Sequence, residues 1–259
     1  MTLLRSLVAT LTVATVFAAG QVAADTISIS GAVLRPGAYQ WHQDARLHDA
    51  AVAGQVRADA WFLGAALLRQ SAIEPQQRLK AGVLFDLRVN RLHARAENDL
   101  PLVALLEQLT DLVESLPVTG RQPAELNPLQ LMIPHKNALL EPGDQLIYPL
   151  RSDQVRVMGA VIEPCSLAFD STLKLKHYLR QCPRDRVADR DEVYIIQPDG
   201  HVQKVGIAHW NAHPSSLAVG AIIYRPLSGT ALSPDTPEFN QDMAALLATQ
   251  YQLGGRFSE

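Results

Sequence analysis

The sequence predicts an α+β protein made of two small sheet-and-helix units, the first of which is interrupted by extra helices. Three observations lead to this prediction. One short segment occurs twice, a second repeated segment follows it in the same order in each half of the chain, and the distance between the two segments is much longer in the first half.

The first repeated segment opens each unit. It runs from Ile27 to Pro36 and returns from Val155 to Pro164. In both copies a β-branched residue occupies alternate positions, followed by Gly-Ala-Val, an aliphatic residue, one variable residue and Pro. This period of two predicts a strand with one face toward a core, ended by a proline-led turn. Gly37 suits a type II turn in the first copy, whereas Cys165 stands at the equivalent position in the second.

The second repeated segment closes each unit. It runs from Leu140 to Leu150 and returns from Leu217 to Leu227. Both copies contain a glycine turn, a short apolar strand and a terminal Pro-Leu pair. Because both segments recur in the same order, we predict two units of one design, spanning residues 25–151 and 152–230.

A helical insertion is predicted in the first unit at about residues 55–118. Gly31 and Gly143 lie 112 positions apart, against 61 for the equivalent glycines of the second unit, an excess of 51 residues. Apolar residues between them recur at helical spacing in three stripes, which predicts two or three helices. The stripes are Ala60, Leu63, Leu67 and Leu68; Leu79, Val83, Leu87 and Leu92; and Leu102, Leu105, Leu106, Leu109, Val113 and Leu116. Asn98 or Asp99 is expected to cap the third helix.

The second unit is compact. After its opening strand come a helical segment from Leu173, a strand from Asp191 and a hairpin turn at Pro198-Asp199-Gly200. A strand pair, one helix and further strands, in that order, are typical of a β-grasp, in which the helix covers the apolar face of a small mixed sheet. Both units are therefore predicted to be β-grasp-like.

An amphipathic helix of about 15 residues is predicted within residues 231–259. Asp235 and Glu238 have the spacing of a capping box at its start. Its apolar stripe consists of Phe239, Met243, Leu246, Leu247 and Tyr251. This stripe either packs on its own domain or binds a partner or a membrane surface.

Residues 1–24 are predicted to be a cleavable signal peptide. Arg5 provides the positive charge, Leu7 to Ala19 is an uncharged and mostly apolar run, and Val22-Ala23-Ala24 suits a cleavage site before Asp25. The apolar run is shorter than the ~20 residues that span a bilayer, which disfavours a membrane anchor. We therefore expect an exported protein.

The charge of the chain argues against one class of partner, and its two cysteines indicate a covalent link. The formal net charge of −3 and the absence of a Lys/Arg run argue against a nucleic-acid partner. The two cysteines, Cys165 and Cys182, are expected to form a disulfide in an oxidising compartment. The alternative is a pair of buried reduced thiols that act as small hydrophobes.

Two motifs resemble the SLBB group of β-grasp modules: Gly-Ala-Val-x-x-Pro-Gly after the opening strand, and Pro-Gly-Asp-x-Leu-Ile-Tyr-Pro at the close of the first unit. The order of signal peptide, interrupted unit, second unit and terminal helix is similar to that of the GfcC-like capsule biosynthesis family. The resemblance covers residues 25–252. Its most specific stretches are Ile27–Gly37, Gly143–Pro149, Asp191–Gly200 and Ile222–Leu227.

The resemblance implies a non-enzymatic periplasmic accessory of capsule or exopolysaccharide biosynthesis and export. Such a protein would bind polysaccharide, polysaccharide export proteins or both, and would need no cofactor. By likeness to the related export channels, the C-terminal helix could make peripheral contact with the outer membrane. Two alternatives are a glycan-modifying enzyme and a subunit of an outer-membrane export ring.

No catalytic or metal-binding residues are predicted. The sequence contains no Gly-x-Ser-x-Gly elbow, phosphate loop or dinucleotide fingerprint. His209 and His213 have the i, i+4 spacing of helical metal ligands, but Asn211 and Pro214 interrupt that segment. Paired catalytic carboxylates come from distant positions, so glycosidase chemistry stays an open alternative.

Four residues are candidates for glycan contact. Sugar recognition needs aromatic faces beside polar groups, and Trp41, Trp61 and Trp210 offer the largest aromatic faces, although each would also suit a core or an interface. Arg121 follows Gly120, where the chain returns to the first unit. Its guanidinium either caps the preceding helix or offers its donors to an acidic sugar.

Overall fold

The computed structural model describes residues 25–251; the predicted signal peptide and residues 252–259 lie outside this range. The described residues form a mixed α+β fold with two five-stranded mixed sheets and five α-helices.

The elements follow each other in the order that the repeat predicts. The first sheet contains β1 (Thr26–Gly31), β2 (Gly37–Gln40), β3 (Ala66–Leu68), β4 (Arg121–Gln122) and β5 (Gln145–Tyr148). The second contains β6 (Gln154–Gly159), β7 (Cys165–Ala168), β8 (Glu192–Ile196), β9 (Val202–Gly206) and β10 (Ile222–Arg225). The helices are α1 (Leu47–Gly54), α2 (Ile73–Ala96), α3 (Leu100–Ser115), α4 (Leu175–Gln181) and α5 (Phe239–Ala248).

The two sheets have the same strand order. It is β2-β1-β5-β3-β4 in the first sheet and β7-β6-β10-β8-β9 in the second. In each sheet, the strand that opens the unit (β1 or β6) pairs in parallel with the strand that closes it (β5 or β10). All other neighbouring strands pair antiparallel. The predicted repeated strands are therefore confirmed as equivalent elements, β1 with β6 and β5 with β10.

The repeat extends to the glycine that ends each opening strand. Gly31 pairs with Tyr148, and Gly159 pairs with Arg225. Both glycines have positive φ, +89° and +98°. The next amide in each unit donates to the carbonyl of that paired residue, at 2.6 and 2.9 Å. A Cβ at Gly31 or Gly159 would lie 2.1 or 2.3 Å from the same carbonyl oxygen, so both the φ angle and the contact require glycine.

The predicted disulfide is confirmed and marks a difference between the units. Cys165 begins β7 and Cys182 follows α4, with their Cα atoms 6.0 Å apart. Strand register and loop hydrogen bonds place Gly37 and Gly54 at the equivalent positions of the first unit. The second unit therefore has a covalent link between its outer strand and its helix where the first unit has two glycines.

The insertion lies between β3 and β4 and contains α2 and α3, whereas β8 and β9 are joined by a short turn at residues 197–201. The predicted first helical stripe is wrong. Phe62–Gly64 form a 3-10 turn, and Ala66–Leu68 form β3, which pairs with β5. A short apolar run is compatible with either a helix or a strand. Here the segment forms a strand because it pairs with β5. The insertion helices therefore begin at Ile73 rather than near residue 55.

The other two stripes lie on helices. Asp99 caps α3, since its carboxylate accepts from the amide of Leu102 at 3.0 Å, and the apolar face of α3 is buried. On α2, Val83 and Leu87 are buried, but Leu92 is exposed because the buried face continues at Asn90 and Ala94 instead.

The amphipathic helix is present as α5, with 10 residues rather than about 15. Phe239, Met243, Leu246 and Leu247 are each at most 1% exposed. They share one hydrophobic cluster with residues of α2, α3, β8 and β10. The stripe was predicted either to pack on its own domain or to bind a partner or a membrane surface. For these four residues, the structure shows packing within the chain.

Acidic side chains lie on α2 and α5 where the two helices pack together. Burial, and secondarily the charge of Asp242, raises the pKa of Asp86 on α2; burial, and secondarily the charge of Glu238, raises that of Asp242 on α5. A carboxyl whose pKa is higher in the folded state than in the unfolded state favours folding when protonated. This contribution is lost as the pH rises through the folded-state pKa.

We therefore expect Asp86→Asn to raise the free energy of unfolding at pH 7 by about 0.5 kcal/mol, a small effect because the site is largely solvated. The gain should shrink toward pH 3, where Asp86 is protonated and uncharged. Urea unfolding at both pH values measures it, with Asp111→Asn on the exposed face of α3 as the control. An equal gain for both variants, or a gain independent of pH, would contradict the electrostatic explanation.

Candidate binding cleft

A cleft runs between the two units around the 3-10 turn Phe62–Gly64. One lobe, of about 700 Å³, is bordered by first-unit residues 123–127 and 130 and by the turn between β8 and β9. The other lobe, of about 750 Å³, is bordered by residues 58–63 and by second-unit residues that include Phe169 and Val219. Phe62, Leu63 and Asn127 line both lobes, so the two lobes adjoin along these residues.

The first lobe combines an apolar ridge with polar groups. Phe62 is half-buried and Leu63 is 41% exposed, so both present apolar surface to solvent. The polar side chains in the lobe are Glu125, Asn127, Gln130, Asp199 and His201. Carboxylate and amide oxygens accept hydrogen bonds from hydroxyls, and amide N–H groups donate to them. This composition suits a hydroxyl-rich ligand with an apolar face.

Local hydrogen bonds fix these polar groups. Glu125 accepts from the amide of Asn127 at 3.0 Å, and Asn127 accepts from the amide of Leu129 at 3.0 Å. Across the cleft, Asp199 accepts from the amide of His201 at 2.9 Å and so shapes the turn between β8 and β9. Because each carboxylate or amide is tied to its own loop, little side-chain entropy would be lost on binding a ligand.

Arg121, predicted as the leading ligand contact, lies beneath this cleft. It is 6% exposed, and its guanidinium donates to the carbonyls of Pro198 and Ala248. Burial lowers its pKa to about 10, an effect that the nearby charge of Asp199 partly opposes. The side chain thus connects β4 to the β8–β9 turn and to the end of α5, and its donors face main-chain oxygens inside the protein.

The three tryptophans lie in different places. Trp61 is 8% exposed and borders the second lobe; a Cβ at Gly64 would lie 2.1 Å from its ring. Trp41 is half-buried outside the cleft, where its indole N–H donates to the carbonyl of Leu140 at 2.9 Å. Trp210 is 76% exposed on the loop after β9. Of the three, the structure brings only Trp61 to the cleft.

Tyr251, the last residue of the predicted partner-binding stripe, is half-buried and lines a small enclosed space together with Arg121 and Trp61. Phe62 and Asn127 line the cleft but were not among the predicted site residues. The apolar run Trp61-Phe62-Leu63 before Gly64 was a signal, but the helical interpretation of this segment concealed it.

Residues 25–251 contain no group of three or more His, Cys, Asp or Glu side chains placed to hold a metal ion. None of the helices in this range combines the length and hydrophobicity needed to cross a bilayer.

Comparison with known proteins gives two findings. Residues 163–251 match the family model described as capsule biosynthesis GfcC C-terminal, and the match covers β7 to β10, α4 and α5. The Escherichia coli (strain K12) protein YjbG, itself described as uncharacterized, is 26% identical over 153 residues. This alignment covers 59% of the present chain and 62% of YjbG, less than two thirds of that relative. The predicted resemblance to this family is therefore confirmed for residues 163–251.

Proposed function

We propose that this protein is a non-enzymatic accessory of capsule biosynthesis that binds glycan in the cleft between its two units. The match of residues 163–251 to the GfcC C-terminal family model supports the link to capsule biosynthesis. The observation that carries the proposal is the cleft itself, where the apolar ridge of Phe62 and Leu63 adjoins fixed polar side chains from both units. An apolar ring face beside hydrogen-bonding groups is the combination that a sugar ring needs.

The dimensions of the cleft support an oligosaccharide rather than a single sugar. Each lobe falls within the 300–1,000 Å³ range of ligand pockets, at about 700 and 750 Å³. The lobes share Phe62, so one chain of sugars could lie across the ridge and contact both units.

The proposed place of action is the periplasm. The pattern of residues 1–24 supports export, and the bond between Cys165 and Cys182 is typical of oxidising compartments. Export proteins are proposed as further partners. Because the apolar stripe of α5 is buried, such partners or the outer membrane would have to contact other surfaces, at least while α5 stays packed.

We also propose that each unit is a β-grasp of the SLBB type. Support comes from the shared order of an antiparallel strand pair, one helix and a closing strand inserted parallel to the first at the centre of the sheet. The two motifs named above occupy the opening and closing strands of this arrangement.

Calorimetric titration with purified capsular polysaccharide tests the proposed function. We expect Phe62→Ala to weaken binding about tenfold, because it removes an aromatic contact of about 1.4 kcal/mol. Phe85→Ala on the exposed face of α2, where Phe85 is 65% exposed, is the matched control and should bind like the unchanged protein. Equal affinities for both variants, or no binding by the unchanged protein, would overturn the proposal.

The two alternatives give different results in simple assays. A glycan-modifying enzyme would release reducing ends from the same polysaccharide, whereas the proposed accessory would leave it intact. A ring subunit would form large oligomers in light scattering.

A further inference from the structure

We infer that the second unit carries another saccharide site, specific for anionic sugars, formed by the exposed Trp210 together with Lys174 and Lys176, which line a depression bordered by residues on both sides of Trp210 in the chain. This site lies outside the cleft. The inference rests on the proposed function only in that glycan is the class of ligand, and three observations support it.

The first observation is a firmly held turn after β9. The side-chain oxygen of Asn211 accepts from the amide of Ala208 at 3.0 Å, and its side-chain nitrogen donates to the carbonyl of Asp191 at 3.0 Å. The amide of Ile207 donates to the same carbonyl at 2.7 Å. The turn also packs tightly on β9, since a Cβ at Gly206 would lie 2.2 Å from the carbonyl oxygen of Asn211. Residues 207–211 are thus anchored to the body of the unit.

The second observation is the side chain that this turn presents. Trp210 lies within the turn, yet 76% of it is exposed. Tryptophan is highly buried on average, because its large apolar surface is costly to hydrate. An anchored turn that leaves an indole in water stabilises nothing inside the chain through that ring. A ligand that covers the ring would gain this apolar contact without having to order the loop.

The third observation is the charge next to the turn. Residues 212–215 border a depression of about 350 Å³ together with Lys174 and Lys176. Its apolar surface comes from Leu175 and Ile207, among others. Neither lysine forms an ion pair within residues 25–251. Two unneutralised ammonium groups beside an apolar surface favour an anionic ligand.

Together these features fit a saccharide with a carboxylate or phosphate group. One sugar ring would stack on Trp210, and the anionic group of the same or the next sugar would reach the lysines. Neutral glycan would keep the stacking and lose the ionic contact. The site would therefore select acidic over neutral chains, in contrast to the cleft, whose first lobe is lined by Glu125 and Asp199.

Titrations with tetragalacturonate, mannose 6-phosphate and neutral maltotetraose test the inference, with the indole N–H signal of Trp210 observed by NMR. We expect tetragalacturonate or mannose 6-phosphate to shift this signal, and the preferred one identifies carboxylate or phosphate as the charge recognised. Maltotetraose should bind at least tenfold more weakly. Raising the salt from 20 to 200 mM should weaken only the anionic ligand.

Variants separate the contributions of the ring and the charges. Trp210→Ala should weaken binding of the anionic ligand at least tenfold, Trp210→Phe should retain most of it, and the double change Lys174→Gln with Lys176→Gln should abolish the preference for acidic over neutral sugar. Arg88→Gln, which removes an exposed charge from α2, is the control. Because all these side chains are exposed, the variants should fold normally, as circular dichroism would verify.

The inference is overturned if acidic and neutral probes bind equally, if neither acidic probe shifts the Trp210 signal, or if Trp210→Ala binds unchanged. The variant Phe62→Ala shows whether a negative result overturns the proposed Trp210 site or the proposed binding of glycan in the cleft. Acidic binding that survives Phe62→Ala supports this site even if the cleft binds nothing. Polysaccharide binding that needs Phe62 and ignores Trp210 overturns this site and leaves the cleft proposal intact.

Discussion

Phe239→Ala is expected to lower the free energy of unfolding by about 3–5 kcal/mol, the largest effect of any variant considered for this protein. Phe239 is fully buried at the start of α5, in the cluster formed with α2, α3 and the second sheet. Removing its ring leaves a cavity that the surrounding helices can fill only in part. Chemical unfolding monitored by circular dichroism measures the loss.

Phe85→Ala is the matched control for this change, since Phe85 also lies on a helix but is 65% exposed. It should change the stability by no more than about 0.5 kcal/mol. If Phe239→Ala proved as mild as Phe85→Ala, α5 would be detached in solution, and its apolar stripe would be available to a partner after all. The experiment therefore separates the two uses predicted for the amphipathic helix.

Gly159→Ala and Gly31→Ala are each expected to cost about 3 kcal/mol. A residue with a side chain in the left-handed region costs about 1–2 kcal/mol. The added methyl would also lie 2.3 Å from the carbonyl oxygen of Arg225 or 2.1 Å from that of Tyr148, and both oxygens belong to the central strand pairs. Relieving such a contact costs a further 1–3 kcal/mol, roughly. Urea unfolding of the single variants tests the expectation.

Gly143→Ala isolates the steric part of this effect. Gly143 has a similar φ of +85°, but a Cβ there would meet no atom within 4 Å. It should therefore lose only the conformational part, about 1–2 kcal/mol. Equal losses at Gly31, Gly143 and Gly159 would show that the close contact between opening and closing strands does not exist, and with it the structural equivalence of the two units would fail.

For function, the structure divides the predicted ligand residues into two groups. Arg121 and Trp41 have main-chain partners inside the protein, which accounts for their polar groups without a ligand. Trp61 borders the cleft, and Trp210 is exposed on the turn whose residue Ile207 lines the lysine depression. Two separate binding surfaces on one chain would let a long polymer contact the protein at more than one point, which raises its effective affinity.

Features that depend on local chemistry could be predicted from the sequence alone. The alternation of β-branched residues identified β1 and β6, and the Pro-Asp-Gly turn identified the β8–β9 hairpin. The pair Asn98 and Asp99 indicated the start of α3, where Asp99 proves to be the cap. Repetition of these signals was enough to predict two equivalent units, because equal local patterns fold into equal strands. The cysteine pair, together with the predicted export to an oxidising compartment, favoured the disulfide over two reduced thiols, and the structure shows the bond.

Features that depend on contacts between distant segments could be recognised only in the folded protein. The apolar spacing of residues 60–68 is compatible with a helix. In the structure, Ala66–Leu68 instead form β3, because they pair with β5. The apolar stripe of α5 indicated that one face of this helix is covered. Only the packed structure shows that α2 and α3 are among the elements that cover it. The cleft brings Phe62, Asn127 and Asp199 together from widely separated segments. Such contacts carry no periodic signal along the chain, because which distant surfaces meet is set by the packing of the whole fold.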